Sequence, residues 1–183
     1  MGRRFCLFAS AIGPVGLVWT DRGIAGVQIP AKDEAATRRT LERRFPDAEE
    51  EPPSPAIGEA IAAIRSLLEG KRTDLSGLPL DFEGVPPFER SVYDVALTIP
   101  AGSTLTYGEI ASRLGDPAAA RDVGAALGRN PIPIVVPCHR VLAAGGRSGG
   151  FSAPGGVITK MRLLDIEGAA PGGQPDLFGL APR

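Results

Sequence analysis

The apolar positions of the chain fall into two regimes. Near the start they come as short runs, residues 4–10 (RFCLFAS), 15–20 (VGLVWT) and 24–30 (IAGVQIP), split by AIGP and DRG. Short apolar runs between Gly and Pro punctuation predict a β-meander. Residues 33–45 (DEAATRRTLERRF) predict a charged helix, and the acidic, proline-rich stretch 46–55 (PDAEEEPPSP) predicts a loop. Ser54 and Pro55 form an N-cap and first-turn pair for a helix over 56–70, which Gly70 stops. Residues 78–84 (LPLDFEG) offer one more strand. Residues 1–85 therefore read as a small α/β domain, without a constellation that spells chemistry.

From residue 86 the pattern becomes mostly helical. Residues 86–102 predict one helix, ended before Pro100. Thr106 followed by Glu109 is a capping box, which puts Tyr107 at the first, exposed position of the next helix. Leu114-Gly115 closes that helix, and Asp116-Pro117 caps and opens another. Two short helices joined by a tight turn form a helix-turn-helix. Its second helix is nearly bare: Ala118, Ala119, Ala120, Gly124, Ala125, Ala126 and Gly128 leave Arg121 and Asp122 as its charged side chains. Base reading in the major groove needs long polar side chains. A smooth helix with one arginine suits close backbone approach and insertion of a single side chain. A tightly packed core helix would use the same residues.

Composition excludes several classes. The chain has 183 residues, room for one ordinary domain or two small ones, and no apolar run approaches a membrane span. Its start breaks into Gly and Pro too early for a signal peptide and reads as the first strand. Two cysteines, Cys6 and Cys138, cannot build a disulfide framework, so a reduced, cytoplasmic setting is expected. Two cysteines and one histidine, without CxxC or HxxxH spacing, also fall short of a zinc site. Net charge is −1. Residues 101–168 hold 7 basic against 5 acidic side chains, an excess so small that any nucleic-acid contact should be local.

The candidate chemistry lies in residues 133–146, PIVVPCHRVLAAGG, where Cys138 directly precedes the single histidine, His139. Sequence neighbours point in different directions, so the pair alone does not make a nucleophile and its base. A lone buried cysteine is usually inert, and a lone histidine is more often structural. The arrangement carries more weight: helix-turn-helix, Asn130-Pro131, an apolar strand, Pro-Cys-His-Arg, a Gly-rich loop, then a helix bearing Glu167.

That arrangement resembles the O6-alkylguanine-DNA alkyltransferases, or methylated-DNA–protein-cysteine methyltransferases. The likeness runs from about Phe88 to Gly168 through TYGEIA, AARDVGAALGRNPIPIVVPCHRVL, GGFSAPGG and KMRLLDIEG. The chain thus divides into an α/β domain over 1–85, a mostly helical domain over 86–168, for which the resemblance implies a helix-turn-helix of winged-helix type, and a flexible tail over 169–183 that the likeness does not cover. The resemblance further implies that Cys138 accepts an alkyl group from guanine O6 once the base is flipped out of the duplex. His139 then acts as base through a water, Glu167 orients the imidazole, and Tyr107 donates a hydrogen bond to the departing guanine. Arg121 fills the gap left by the flipped nucleotide, with Ala120 and Gly124 against the minor groove of double-stranded DNA. Asn130 holds the turn before the active-site strand, and the Val141 carbonyl and Ser152 line the guanine pocket. The thioether is stable, so each molecule, expected to be a monomer without cofactor or metal, reacts once.

The chain departs from the family's pattern in three ways: Gly150–Gly156 is two residues longer and has Phe151 for a tyrosine, Asp122 replaces a small residue, and the ligands for the zinc site of some members are lacking. A non-catalytic lesion-binding module is the rival, and Cys138 argues against it, since such modules replace that residue. A Cys-His hydrolase would leave the helix-turn-helix unexplained. In the Gly- and Pro-rich tail, Gln174-Pro175-Asp176-Leu177-Phe178 resembles the peptide by which bacterial repair proteins dock on the sliding clamp. Folding of Leu177 and Phe178 back onto the protein is the alternative.

Overall fold

The structure, a computed structural model, describes residues 2–169. Strands β1 (Arg3–Ser10), β2 (Gly13–Thr20) and β3 (Gly23–Gln28) form the expected antiparallel meander. Helix α1 (Glu34–Arg44) starts at Asp33, whose carboxylate accepts from the Ala36 amide. Residues 46–55 are not wholly loop, as the acidic pattern had suggested. Ala48–Glu50 form β4, which pairs in parallel with the outer edge of β1, giving the sheet order β3-β2-β1-β4. An edge strand this short needs no apolar alternation, and ion pairs Arg3–Asp47 and Arg38–Glu50 flank it.

Alternation along the strands separates the two faces of the sheet. Phe5, Val18 and Ala25 pack with Leu41 and Phe45 at the α1 face. Two glycines permit this approach: a Cβ on Gly16 would lie 2.2 Å from Leu41, and one on Gly26 2.3 Å from Phe45. On the other face Cys6, Phe8, Leu17, Trp19 and Val27 join one continuous core. That core includes Ile57, Ile61 and Ile64 of α2 (Pro55–Leu68) and Val92 and Ala96 of α3 (Pro87–Leu97). Residues 78–84 make no strand, only one bridge between Leu80 and Ile24, because the chain touches the meander there and leaves.

The same core continues through Ile110, Val123, Ala126 and Val136 into the helical half. There β5 (Leu105–Thr106) leads directly into α4 (Tyr107–Arg113), with the expected capping box present. The turn runs through Gly115 at φ +84°. Asp116-Pro117 opens a 3-10 turn, Pro117–Ala119, and α5 follows as Ala120–Gly128. Asp116 caps the Ala118 amide, so the expected start is right in place but tighter than an α-turn. The chain ends its described part with β6 (Val141–Leu142) and α6 (Gly156–Ile166). Among the described residues no helix is long and apolar enough to cross a membrane.

Candidate active site

Helix α5 shows two different faces. Val123, Ala126 and Leu127 point into the core, while Arg121 and Gly128 are exposed and Ala120 and Gly124 half-buried. The bare helix is therefore half core and half open wall: the core reading holds for one side, and the other side faces out of the core. Tyr107 lies over that wall, with its ring 3.8 Å from a Cβ placed on Gly124. Its hydroxyl edge meets the backbone of Gly149, where a Cβ would come within 2.8 Å and φ is +63°. Only glycine accommodates both demands.

No strand precedes Cys138, contrary to the expectation from the run of Ile and Val. Residues 131–137 hold three prolines, which cannot donate to a ladder, and they fold as a buried loop. Asn130 takes over the missing backbone bonds: its amide donates to the Val136 carbonyl and its oxygen accepts from the Ile132 amide, both at 2.9 Å. Ile134 adopts φ +76°, a left-handed conformation that costs a β-branched residue about 1–3 kcal/mol. Packing supplies the compensation, since Ile134 is 1 % exposed. Cys138–Arg140 then form a 3-10 turn. Val141 pairs with Leu105 in a two-strand parallel ladder. Because β5 runs straight into Tyr107, this short ladder brings Tyr107 and Cys138 to one place.

Behind the thiol lies a buried charge array. His139 is fully buried, and its Nε2 is 2.9 Å from Glu167 Oε1. Arg140 grips the same carboxylate with two bonds of 2.8 Å and donates a third to the Ile99 carbonyl. Burial alone would raise the Glu167 pKa, but the bonds from His139 and Arg140 outweigh it and hold the group down at about 2. Burial lowers the His139 pKa against the pull of Glu167. Burial likewise pushes the Cys138 thiol up, opposed by a hydrogen bond from Asn130 and the nearby Lys160 cation. At rest both thiol and imidazole are held neutral, while the carboxylate stays charged. His139 Nδ1, the ring nitrogen that does not face Glu167, has no hydrogen-bond partner among the described residues.

Lys160 is the residue that sequence reading did not single out. It is completely buried, and its Nζ donates to the Val141 carbonyl, with the Gly150 carbonyl and the Tyr107 hydroxyl each 3.4 Å away. Desolvation lowers its pKa to about 8. A signal was present: Lys160, Leu163, Leu164 and Glu167 recur at helical spacing, so the lysine occupies a core position.

A cleft of about 980 Å³ opens over Cys138, walled by Tyr107, Ala120, Arg121, Gly124 and Ser152 among others. Ser152 hydroxyl donates to the Gly128 carbonyl, tying the loop to the end of α5. Asn130 hydrogen-bonds the thiol, while neither it nor His139 nor Glu167 is part of the cleft's lining. Val141 is not among the residues that line this cleft, and its carbonyl, expected in the pocket, accepts from Lys160. Among the described residues no three His, Cys, Asp or Glu side chains are gathered to hold a metal.

Fold and site define a class: a helix-turn-helix protein whose open helix face borders a thiol backed by an imidazole and a carboxylate. Residues 87–169 match the family described as 6-O-methylguanine DNA methyltransferase, DNA binding domain. A methylated-DNA–protein-cysteine methyltransferase of Methanothermobacter thermautotrophicus is 39% identical over 160 residues, covering 87% of this chain and 82% of that protein. The crystal structure of Mycobacterium tuberculosis OGT in complex with DNA superposes with a TM-score of 0.74 at 32% identity, covering 90% and 92% of the two chains. An O6-methylguanine-DNA methyltransferase from Pyrococcus kodakaraensis gives 0.70 at 28%, covering 91% and 99%. The chain belongs to the methylated-DNA–protein-cysteine methyltransferase family.

Proposed function

We propose that this chain is a single-turnover DNA repair protein that flips O6-alkylguanine out of the duplex and moves the alkyl group to Cys138. The observation that carries the reading is Cys138 lining a cleft with Tyr107 and the open face of α5, next in the chain to a buried His139 bonded to Glu167. In this mechanism His139 Nδ1 takes the thiol proton through a water. Glu167, a carboxylate at any pH above about 2, stabilises the imidazolium that forms. The sulfur–carbon bond forms as the carbon–O6 bond breaks, and the electron pair leaves with guanine. Tyr107 donates to the departing ring, with Lys160 behind the phenol as the nearest cation.

Residues 1–85 act as the scaffold and 86–168 as the DNA-binding and acceptor domain, with the helix-turn-helix of winged-helix type. The bare face of α5 (Ala120, Gly124) lies along the minor groove and Arg121 enters the stack, so damage is found without reading sequence. Asn130 fixes the reactive loop and Ser152 the pocket rim. The protein works as a cytoplasmic monomer, and Gln174–Phe178, outside the described residues, tethers it to the sliding clamp.

Exposure to a duplex containing O6-methylguanine should add one methyl group per chain, mapped by mass spectrometry to Cys138. Cys138→Ala should bind the duplex without gaining it. Arg121→Ala should slow duplex repair far more than reaction with free O6-benzylguanine. Methylation of Cys6, or tight lesion binding with no adduct, overturns the proposal.

A further inference from the structure

A second cleft, about 520 Å³, meets the first at the nucleophile. Leu127, Gly128, Cys138, Phe151 and Ser152 line both, so the end of α5 and the loop form the partition, with Cys138 at the junction. The two differ in their far walls. The second runs towards α1 and is lined there by Gln28, Thr40, Arg43 and Arg44, with Arg129 beside them and no acidic residue in its lining.

The charges of that wall are not equally satisfied. Arg129 is already paired with Glu89 at 2.7 Å. Arg44 donates only to neutral acceptors: the Val27 carbonyl at 3.1 Å, Gln28 Oε1 at 2.8 Å and the Pro131 carbonyl at 3.5 Å. These bonds fix the guanidinium's direction without cancelling its charge. Neither Arg43 nor Arg44 has an ion-pair partner among the described residues, whereas Arg38 on the same helix is paired with Glu50. A cleft that begins at a thiol and ends at two unpaired guanidiniums is complementary to an anion.

We propose that this cleft is a subsite for O6 substituents that end in a carboxylate. The inference rests on the transferase reading above. With guanine in the first cleft and its reacting carbon at the sulfur, a substituent longer than methyl needs a second direction in which to extend. A carboxylate there suffers repulsion from the thiolate as it forms, and the two arginines offset that repulsion. The balance of the step is unchanged: sulfur bonds the first carbon of the chain, the carbon–O6 bond breaks, and guanine keeps the electron pair and takes up a proton. The carboxylate passes intact into an S-(carboxyalkyl)cysteine.

The test is a series of free O6-(ω-carboxyalkyl)guanines of increasing chain length, each beside its uncharged carboxamide, with O6-methylguanine as reference. Free bases remove DNA phosphates from the comparison. At the length that reaches the arginines, the carboxylate should react about tenfold faster than its amide, the size of one charge-assisted contact. Arg43→Gln/Arg44→Gln should bring that ratio to about one, with methyl transfer unchanged. The exposed Arg43→Glu alone should lower the ratio further than Arg43→Gln, which guards against loss of fold through the bonds of Arg44 to Val27 and Gln28. Carboxylates no faster than amides at any length overturn the subsite. So does a double variant that keeps the ratio but loses duplex repair in a salt-dependent way, which would assign the arginines to phosphates. Absence of methyl transfer itself would fell the transferase reading, and the subsite with it.

Discussion

The N-terminal sheet and the region around Cys138 use the same ionisable residue types in opposite ways. Around the sheet, Arg3–Asp47, Arg38–Glu50 and Lys71–Glu69 are surface pairs, each with side chains a third or more exposed on at least one partner. Around Cys138, the His139, Arg140 and Glu167 side chains are 1%, 9% and 3% exposed, and Lys160 lies beside them. An exposed pair exchanges water for a screened partner at little net gain. A buried array is different, because the Glu167 carboxylate stays ionised there only through the bonds from His139 and Arg140. Charge at the surface is a solubility device; charge in the interior is a constraint on chemistry and stability together.

Arg140→Met tests the buried side most severely. It leaves the Glu167 carboxylate buried with His139 as its only remaining side-chain partner among the described residues. A loss of about 3–5 kcal/mol is expected in denaturant unfolding, as for other broken buried pairs. A loss below about 1 kcal/mol would make the array no different from the surface pairs.

Acid titration of stability sharpens the same contrast. The folded Glu167 pKa, about 2, lies below its ordinary value, so its contribution is fully present above about pH 4.5 and disappears as pH falls through about 2. That contribution is about 3 kcal/mol at neutral pH. Glu167→Gln should therefore be less stable than the parent at neutral pH and flatten its stability curve between those values. Curves that stay parallel down to pH 2 would remove the carboxylate from the array. The same variant should transfer methyl more slowly, because an amide orients His139 but cannot balance its positive charge.

Arg38→Ala is the smallest of these changes. The pair with Glu50 joins α1 to the edge strand, yet both ends are solvated, and a cost below about 1 kcal/mol is expected. High salt should erase most of it. A larger, salt-resistant cost would mean that the edge strand depends on this pair.

Much of the site was legible because it rests on local rules. The Thr106–Glu109 capping box, the stop at Gly115 and the small residues of α5 each act over a few positions, and each occurs where local chemistry places it. Three features followed other rules. The loop before Cys138 was read as a strand because Ile132, Ile134, Val135 and Val136 are good strand formers. Its prolines and the Asn130 side chain instead direct its hydrogen bonds inward. The strand β4 carries no apolar pattern, and only the free edge of β1 makes it one. Lys160 would ordinarily be taken as a solvated helix residue, and it is buried because the Val141 carbonyl and Tyr107 converge on it.

By itself, then, the sequence determined which segments turn, cap and alternate, and it set Cys138 beside His139 with Glu167 two helical turns past Lys160. Those properties arise from bonds and sterics within a few residues. Only the tertiary structure decided that His139, Arg140, Glu167 and Lys160 are buried together, and that Arg43 and Arg44 line one cleft with Cys138. Burial and distance between remote segments set pKa values and leave charges paired or unpaired, and neither is a property of any segment alone.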